Sequence, residues 1–241
     1  MKFPLDDASS ALDLMEGLLD LDGSVYVGSR TELDCVVDTE NYAMRAAGLL
    51  LRHRVVRRKD TVGELITLKV ARADATGGHP RFQDNEEIEY EADGSEKARR
   101  VSAFVGDELD RLAGVQIEAP PSTAVGTLSW LTALRAQLGP LRVRALIEKR
   151  RSVFRGDGWE VCLDRFPSPL GAFAEIETTD PAALVRIADL LHLETDQSES
   201  RTYGRILGDL NAHQPDPLSR VALFDDSRAD LAGVLDFPAR R

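Results

Sequence analysis

Two rows of charge define what this chain could do chemically. Lys149 and Arg151 stand two residues apart, and so do Glu175 and Glu177. In a β-strand, residues i and i+2 share a face. One strand therefore points two cations one way, and a later strand points two carboxylates one way. If both rows face the inside of a closed sheet, they hold a metal ion beside a polyanion. The pattern recurs upstream, where Arg52 and Arg54 flank His53, Lys69 ends an alternating run, and Glu87, Glu89 and Glu91 alternate with Ile88 and Tyr90. The cations suit phosphate oxygens, Arg by bidentate bonding and Lys as a point charge. The carboxylates suit hard divalent cations, which prefer oxygen ligands.

The elements that must position these rows follow from periodicity. Alternation predicts strands over 24–36, 49–57, 64–72, 86–92, 142–155, 159–165 and 172–178. Gly156-Asp157-Gly158 is the turn between two of them. Helical spacing predicts helices over 8–19, 181–192 and 200–211, the second opened by Thr179-Asp180-Pro181. The middle, 96–138, reads as helical, with a break at Ala119-Pro120-Pro121 and a second piece over 128–138. Residues 40–50 read as a turn and 73–84 as a loop. Residues 1–212 read as one domain and 213–241 as a surface tail, with a short helical piece at 226–234. Many alternating strands joined by hairpins predict an α+β fold built on an antiparallel barrel. Its polar face is charged in both signs, which fits an ionic interior with helices on the apolar outside.

Composition narrows the function. The chain has 241 residues, 43% of them hydrophobic and 29% charged, as expected of a water-soluble globular protein. A net charge of −11 argues against an extended nucleic-acid surface, and leaves room for a focused basic pocket. No apolar run is long enough for a membrane span, and the first residues lack the apolar core of a signal peptide. Cys35 and Cys162 sit in apolar strands and read as buried free thiols of a reducing, cytoplasmic compartment. Neither they nor the four scattered histidines have zinc-ligand spacing. His53 points away from its arginine neighbours and is expected to pack on the outer face.

Taken in order, these segments resemble the CYTH superfamily, the triphosphate tunnel metalloenzymes. Asp34-Cys35-Val36-Val37-Asp38-Thr39-Glu40-Asn41 resembles its D-x-Y-F-D-T-P-D block, with Val at both aromatic positions. Arg45 through Arg54 resembles K-A-G-x-x-L-R-x-R, and Leu65-Ile66-Thr67-Leu68-Lys69 resembles L-T-L-K. Lys149-Arg150-Arg151-Ser152-Val153-Phe154 resembles K-x-R-x-x-Y. Leu163-Asp164, then Leu170-Gly171-Ala172-Phe173-Ala174-Glu175-Ile176-Glu177, resembles L-D-x-V…L-G-x-F-x-E-I-E. Arg201-Thr202-Tyr203 stands where the superfamily has K-S-Y. Lys2 reads as the lysine of the N-terminal E-x-E-x-K signature, whose two glutamates are expected just upstream of Met1.

The resemblance implies a closed eight-stranded antiparallel β-barrel, or tunnel, and a metal-dependent enzyme acting on a triphosphate such as ATP or tripolyphosphate. The implied activity is that of a CyaB-like adenylate cyclase or a triphosphatase. It implies a substrate cradle of Lys2, Arg52, Arg54, Lys69, Lys149, Arg151 and Arg201. Asp164, Glu175 and Glu177 become ligands of Mg²⁺ or Mn²⁺, and Glu87 and Glu89 orient or deprotonate the nucleophile. Without the upstream glutamates, weaker metal affinity is expected. The alternative is a non-catalytic polyphosphate- or nucleotide-binding module. The residues leave open whether the chain forms a homodimer.

Overall fold

Alternation along the strands sorts side chains onto two faces, one largely ionic and one apolar, and most of the helices cover the apolar one. The computed structural model describes residues 1–6, 8–71, 85–116, 141–211 and 221–227. In chain order the elements are β1 (Lys2–Leu5), α1 (Ala8–Asp20), β2 (Val25–Thr39), α2 (Ala43–Ala46), β3 (Leu49–Arg57), β4 (Val62–Ala71) and β5 (Asn85–Glu91). After α3 (Glu96–Ala113) come β6 (Leu141–Gly156), β7 (Trp159–Arg165), β8 (Ala172–Thr178), α4 (Pro181–Leu190), α5 (Tyr203–Leu210) and β9 (Val221–Ala222). The loop read at 73–84, the helical piece at 128–138, Trp130 and most of the segment after 212 lie outside the described residues.

Eight strands form one antiparallel path, β1-β8-β7-β6-β2-β3-β4-β5, and β9 joins β6 in parallel. Among the described residues, β1 and β5 stand at the two ends of this path without pairing to each other. The sheet is therefore open between them, where the sequence suggested a closed barrel. β1 is only four residues long, and β5 carries Glu86, Glu87, Glu89 and Glu91, charge of the kind that keeps an edge from adding strands.

The apolar face is packed in two places. Leu33, Cys35, Leu51, Ile66 and Leu68 lie against Met44 of α2 and Val105 and Leu109 of α3. Phe3, Phe154, Val161 and Ile176 lie against Leu14 and Leu18 of α1 and Leu184 and Ile187 of α4. Burying each such side chain contributes about 1.5–3 kcal/mol. His53 belongs to this face, fully buried with Nε2 at 2.8 Å from Glu64 Oε2. Burial pushes its ring below the ordinary histidine value, against the pull of Glu64. Cys35 and Cys162 are buried free thiols, and burial raises both well above the usual thiol value. Among the described residues, no helix is long and apolar enough to cross a membrane.

Local chemistry accounts for the element ends. Ser95 and Asp180 accept the Ala98 and Ala182 N–H groups and cap α3 and α4. The stretch after β2, read as a plain turn, holds the short α2 because the buried Asp38 carboxylate accepts the Met44 and Arg45 N–H groups. In the β6–β7 hairpin Gly156 faces the Trp159 ring, which a Cβ at that position would strike.

Part of the segment read as a surface tail belongs to the core. Val221 and Ala222 pair with Leu146 and Ile147 of β6, and Ala222 and Leu223 are each 1% exposed. Glu148, buried on the same strand, accepts the Phe224 N–H at 2.8 Å and the Ser227 hydroxyl at 2.7 Å. Both carboxylate oxygens are thus used to hold residues 221–227. Turn-forming residues around this segment conceal its attachment in the sequence.

Candidate functional site

Register brings the charged residues together on one face. Arg52, Thr67 and Glu89 are direct partners across β3, β4 and β5, and Lys69 stands opposite Glu87 in the next row. Lys149 pairs with Glu32, Arg151 with Asp164, and Lys2 with Glu175. Of the expected site residues, Lys2, Arg52, Arg54, Lys69, Lys149, Arg151, Asp164 and Glu175 are wholly or partly sheltered on this face, whereas Glu87 and Glu89 are more exposed. Glu177 lies at its rim with a side chain 55% exposed.

The ion pairs form one continuous network. Arg54 binds Asp34 through Nε at 2.6 Å and Nη2 at 2.8 Å, and its Nη1 lies 3.0 Å from Glu32. Lys149 sits between Glu32 at 3.3 Å and Asp164 at 3.0 Å. Arg151 grips Asp164 through Nε and Nη2, both at 2.7 Å, and reaches Glu175 at 2.6 Å. At the other end, Lys69 meets Glu87 at 2.8 Å, and Arg52 lies within 4 Å of Asp34, Glu87 and Glu89. Glu87 and Glu89 of β5 are thereby tied to Arg52 of β3 and Lys69 of β4.

Electrostatics follow the geometry. Burial pushes the Glu32 carboxyl up, but Lys149 and Arg54 outweigh it and hold it at about 2. For Asp34 and Asp164 burial acts the same way, and their arginine and lysine partners hold both well below the usual carboxylate range. Glu177 goes in the opposite direction, raised by burial and by the neighbouring Glu175 carboxylate.

The sequence missed several participants. Glu32 is fully buried at the junction of the network and binds Arg30 as well as Arg54 and Lys149. Its spacing to Asp34 is the same i, i+2 signal that exposed Glu175 and Glu177. Tyr203, on α5, donates its hydroxyl to Asp164 at 3.2 Å, and its ring lies under Lys2 and Lys149. It stacks with Phe166 and Phe173, so α5 covers one end of the charged face. Arg201 turns outward to Glu199 and Asp209, with its side chain 48% exposed. It reaches the site only through its carbonyl, which accepts from Lys2.

The carboxylates fit a hard divalent cation unequally. Asp164 has both oxygens bound to Arg151 and Lys149, so a metal there has to displace two cations. Glu175 and Glu177 share a strand face, and the Glu175 carboxylate helps raise Glu177 above its ordinary value. A divalent cation relieves that repulsion, so this pair fits one. Among the described residues, no three His, Cys, Asp or Glu side chains gather in a ready-made metal cage. A separate cavity of about 590 Å³, lined by Thr39, Asn41, Gly114 and Arg142 among others, lies away from the charged network.

No protein-family model matches the chain, and no curated protein does either. Solved structures do match. PH1819 protein from Pyrococcus horikoshii OT3 is 17% identical, with a TM-score of 0.55 over 87% of this chain and 97% of that one. A "putative adenylate cyclase" from Vibrio parahaemolyticus is 18% identical, with a TM-score of 0.50 over 86% and 95%. This chain shares their fold. PH1012 protein from Pyrococcus horikoshii OT3 is a third match, 19% identical with a TM-score of 0.51 over 84% and 94%. These likenesses are likenesses of fold. The match runs over nearly the full length of the Vibrio protein.

Proposed function

We propose that the charged face binds the phosphates of ATP or tripolyphosphate together with Mg²⁺ or Mn²⁺, and that the chain is a CYTH-type triphosphatase or adenylate cyclase. The observation that carries this reading is the row of Lys2, Arg52, Arg54, Lys69, Lys149 and Arg151 on one face of one sheet. A triphosphate carries about four negative charges near neutral pH and needs cations converging from several strands. A solvated sheet face has no need of six sheltered cations.

The cations divide by what else they hold. Arg54 and Arg151 are gripped by Asp34 and Asp164 and fix the shape of the face. Arg52 has looser carboxylate partners, at 3.5–3.8 Å, Lys69 holds the partly exposed Glu87, and Lys2 holds a backbone carbonyl; these three are assigned to the phosphates. Glu175 and Glu177 would hold the divalent cation, which when bound offsets charge on the phosphate oxygens. Glu87 and Glu89 stand beside Arg52 and Lys69, where a carboxylate can orient or deprotonate the attacking group. If that group is water, the terminal phosphate leaves as orthophosphate. If it is the ribose 3′-hydroxyl of ATP, pyrophosphate leaves and cyclic AMP forms. Hydrolysis is the simpler assignment, because it needs no nucleoside held in register. Curling of the sheet into a tunnel and a reducing cytoplasmic setting belong to the same proposal.

Phosphorus NMR of the products tests it. Incubated with Mg²⁺ or Mn²⁺, the protein is expected to convert tripolyphosphate or ATP to orthophosphate, or ATP to pyrophosphate and cyclic AMP. Tight triphosphate binding with no turnover would replace the enzyme by a binding module. Absence of both binding and turnover would end the triphosphate reading.

A further inference from the structure

We propose that Thr67 is a positioning residue that keeps Glu89, rather than Glu87, aimed at the nucleophile; this rests on the triphosphate reading above. Thr67 is fully buried and lies directly between Arg52 and Glu89 across three strands. A guanidinium can only donate, and a threonine hydroxyl carries a single hydrogen. Arg52 Nη2 donates to Thr67 Oγ1 at 3.2 Å, and Thr67 Oγ1 donates to Glu89 Oε2 at 2.9 Å. The direction of the relay is therefore fixed, from cation through hydroxyl to carboxylate. Glu89 Oε2 takes part only as an acceptor. Oε1 is the oxygen assigned to the nucleophile.

The neighbouring row is held differently. Glu87 meets Lys69 directly at 2.8 Å and Arg52 at 3.5 Å. Those are the cations a triphosphate draws to itself, so binding of substrate competes for both of these contacts. Glu89 keeps one contact that phosphate does not compete for, because the hydroxyl of Thr67 is neutral and its β-branched side chain has few rotamers in a strand. When substrate pulls Arg52 and Lys69 away, Glu87 is released and Glu89 stays in place. Of two adjacent glutamates with similar surroundings, the one backed by Thr67 is therefore the base.

Kinetics of Thr67→Val and Thr67→Ser test this. Valine has the shape of threonine without the hydroxyl, and serine keeps the hydroxyl without the methyl. A general base contributes about 10²–10⁴-fold to rate. Thr67→Val is expected to lose at least about 30-fold in kcat, with KM changed less than about threefold. Thr67→Ser is expected to recover kcat to within about threefold of the unmodified protein. Thr67→Ala takes the place of the valine variant if that one does not fold. A valine variant with unchanged kcat overturns the proposal, as does a rise in KM alone or failure of serine to rescue. If the unmodified protein neither binds nor converts a triphosphate, it is the functional reading that fails. The positioning claim is then judged by a crystal structure of Thr67→Val, where Glu89 unmoved would overturn it.

Discussion

Asp164→Ala is expected to lower the melting temperature by about 10 °C. The side chain is completely buried and takes bonds from Arg151, Lys149 and Tyr203. Its removal leaves two cations in the interior with their main counter-charge gone. Breaking a buried pair in this way costs about 3–5 kcal/mol, and in a chain of this size each kcal/mol shifts the midpoint by about 2–4 °C. Calorimetry of the purified variant gives the answer. A second substitution separates charge from cavity: adding Lys149→Met to Asp164→Ala removes one of the stranded cations and should recover part of the loss. A single variant that melts within about 2 °C of the unmodified chain would mean that water or Glu175 compensates fully.

The same network sets the response to acid. The folded chain holds Glu32 at about 2, below the ordinary 4.5, so the unfolded chain takes up that proton first as pH falls. The stabilisation from Glu32 is complete above about 4.5 and is lost as pH drops toward 2. By itself it amounts to about 3 kcal/mol, from roughly 1.4 kcal/mol per pH unit. His53 acts earlier. Its folded value lies below the ordinary 6.5, so the unfolded chain again binds the proton first, and stability begins to decline below that pH. Denaturation midpoints measured across pH should show a shallow fall below 6.5 and a steep one below 4.5. Stability that stays level down to about pH 3 would mean that the fold does not hold these carboxylates below their ordinary values.

These consequences trace back to how much the sequence could reveal. Period-two alternation is a backbone property, so the cations of β3 and β6 and the carboxylates of β5 and β8 could be assigned to faces from residue spacing alone. Thr67 was legible as sharing a strand face with Lys69. Its bond to Glu89 was not, because strand register between β4 and β5 is set by long-range pairing. Glu32 carried the right spacing to Asp34, but its place between Arg54 and Lys149 depends on β2 pairing with both β3 and β6. Arg201 sits in a motif-like position, yet Glu199 and Asp209 lie closer to its guanidinium than the charged face does. Residues 221–227 look like a tail because their attachment depends on Glu148, far earlier in the chain.

The second large effect concerns charge balance. The face brings together seven cations, Lys2, Arg30, Arg52, Arg54, Lys69, Lys149 and Arg151, and seven carboxylates, Glu32, Asp34, Glu87, Glu89, Asp164, Glu175 and Glu177. It is close to neutral, so a triphosphate adds about four uncompensated negative charges in a sheltered place. Charges so placed are costly unless paired, and a divalent cation supplies the missing pairing. Titration calorimetry with tripolyphosphate is therefore expected to give weak binding in a chelator, and binding about 100-fold tighter with Mg²⁺, near the upper range for coupled ligands. Linkage requires tripolyphosphate to tighten Mg²⁺ binding by the same factor. In Glu175→Gln/Glu177→Gln two negative charges are gone and so is the assigned ion site. Binding in chelator should then become stronger than in the unmodified chain, while the gain from Mg²⁺ shrinks below about tenfold. The metal also binds triphosphate in solution, and this variant separates the two roles. An Mg²⁺ effect of full size in the double variant would place the ion on the phosphates alone and remove Glu175 and Glu177 from its coordination.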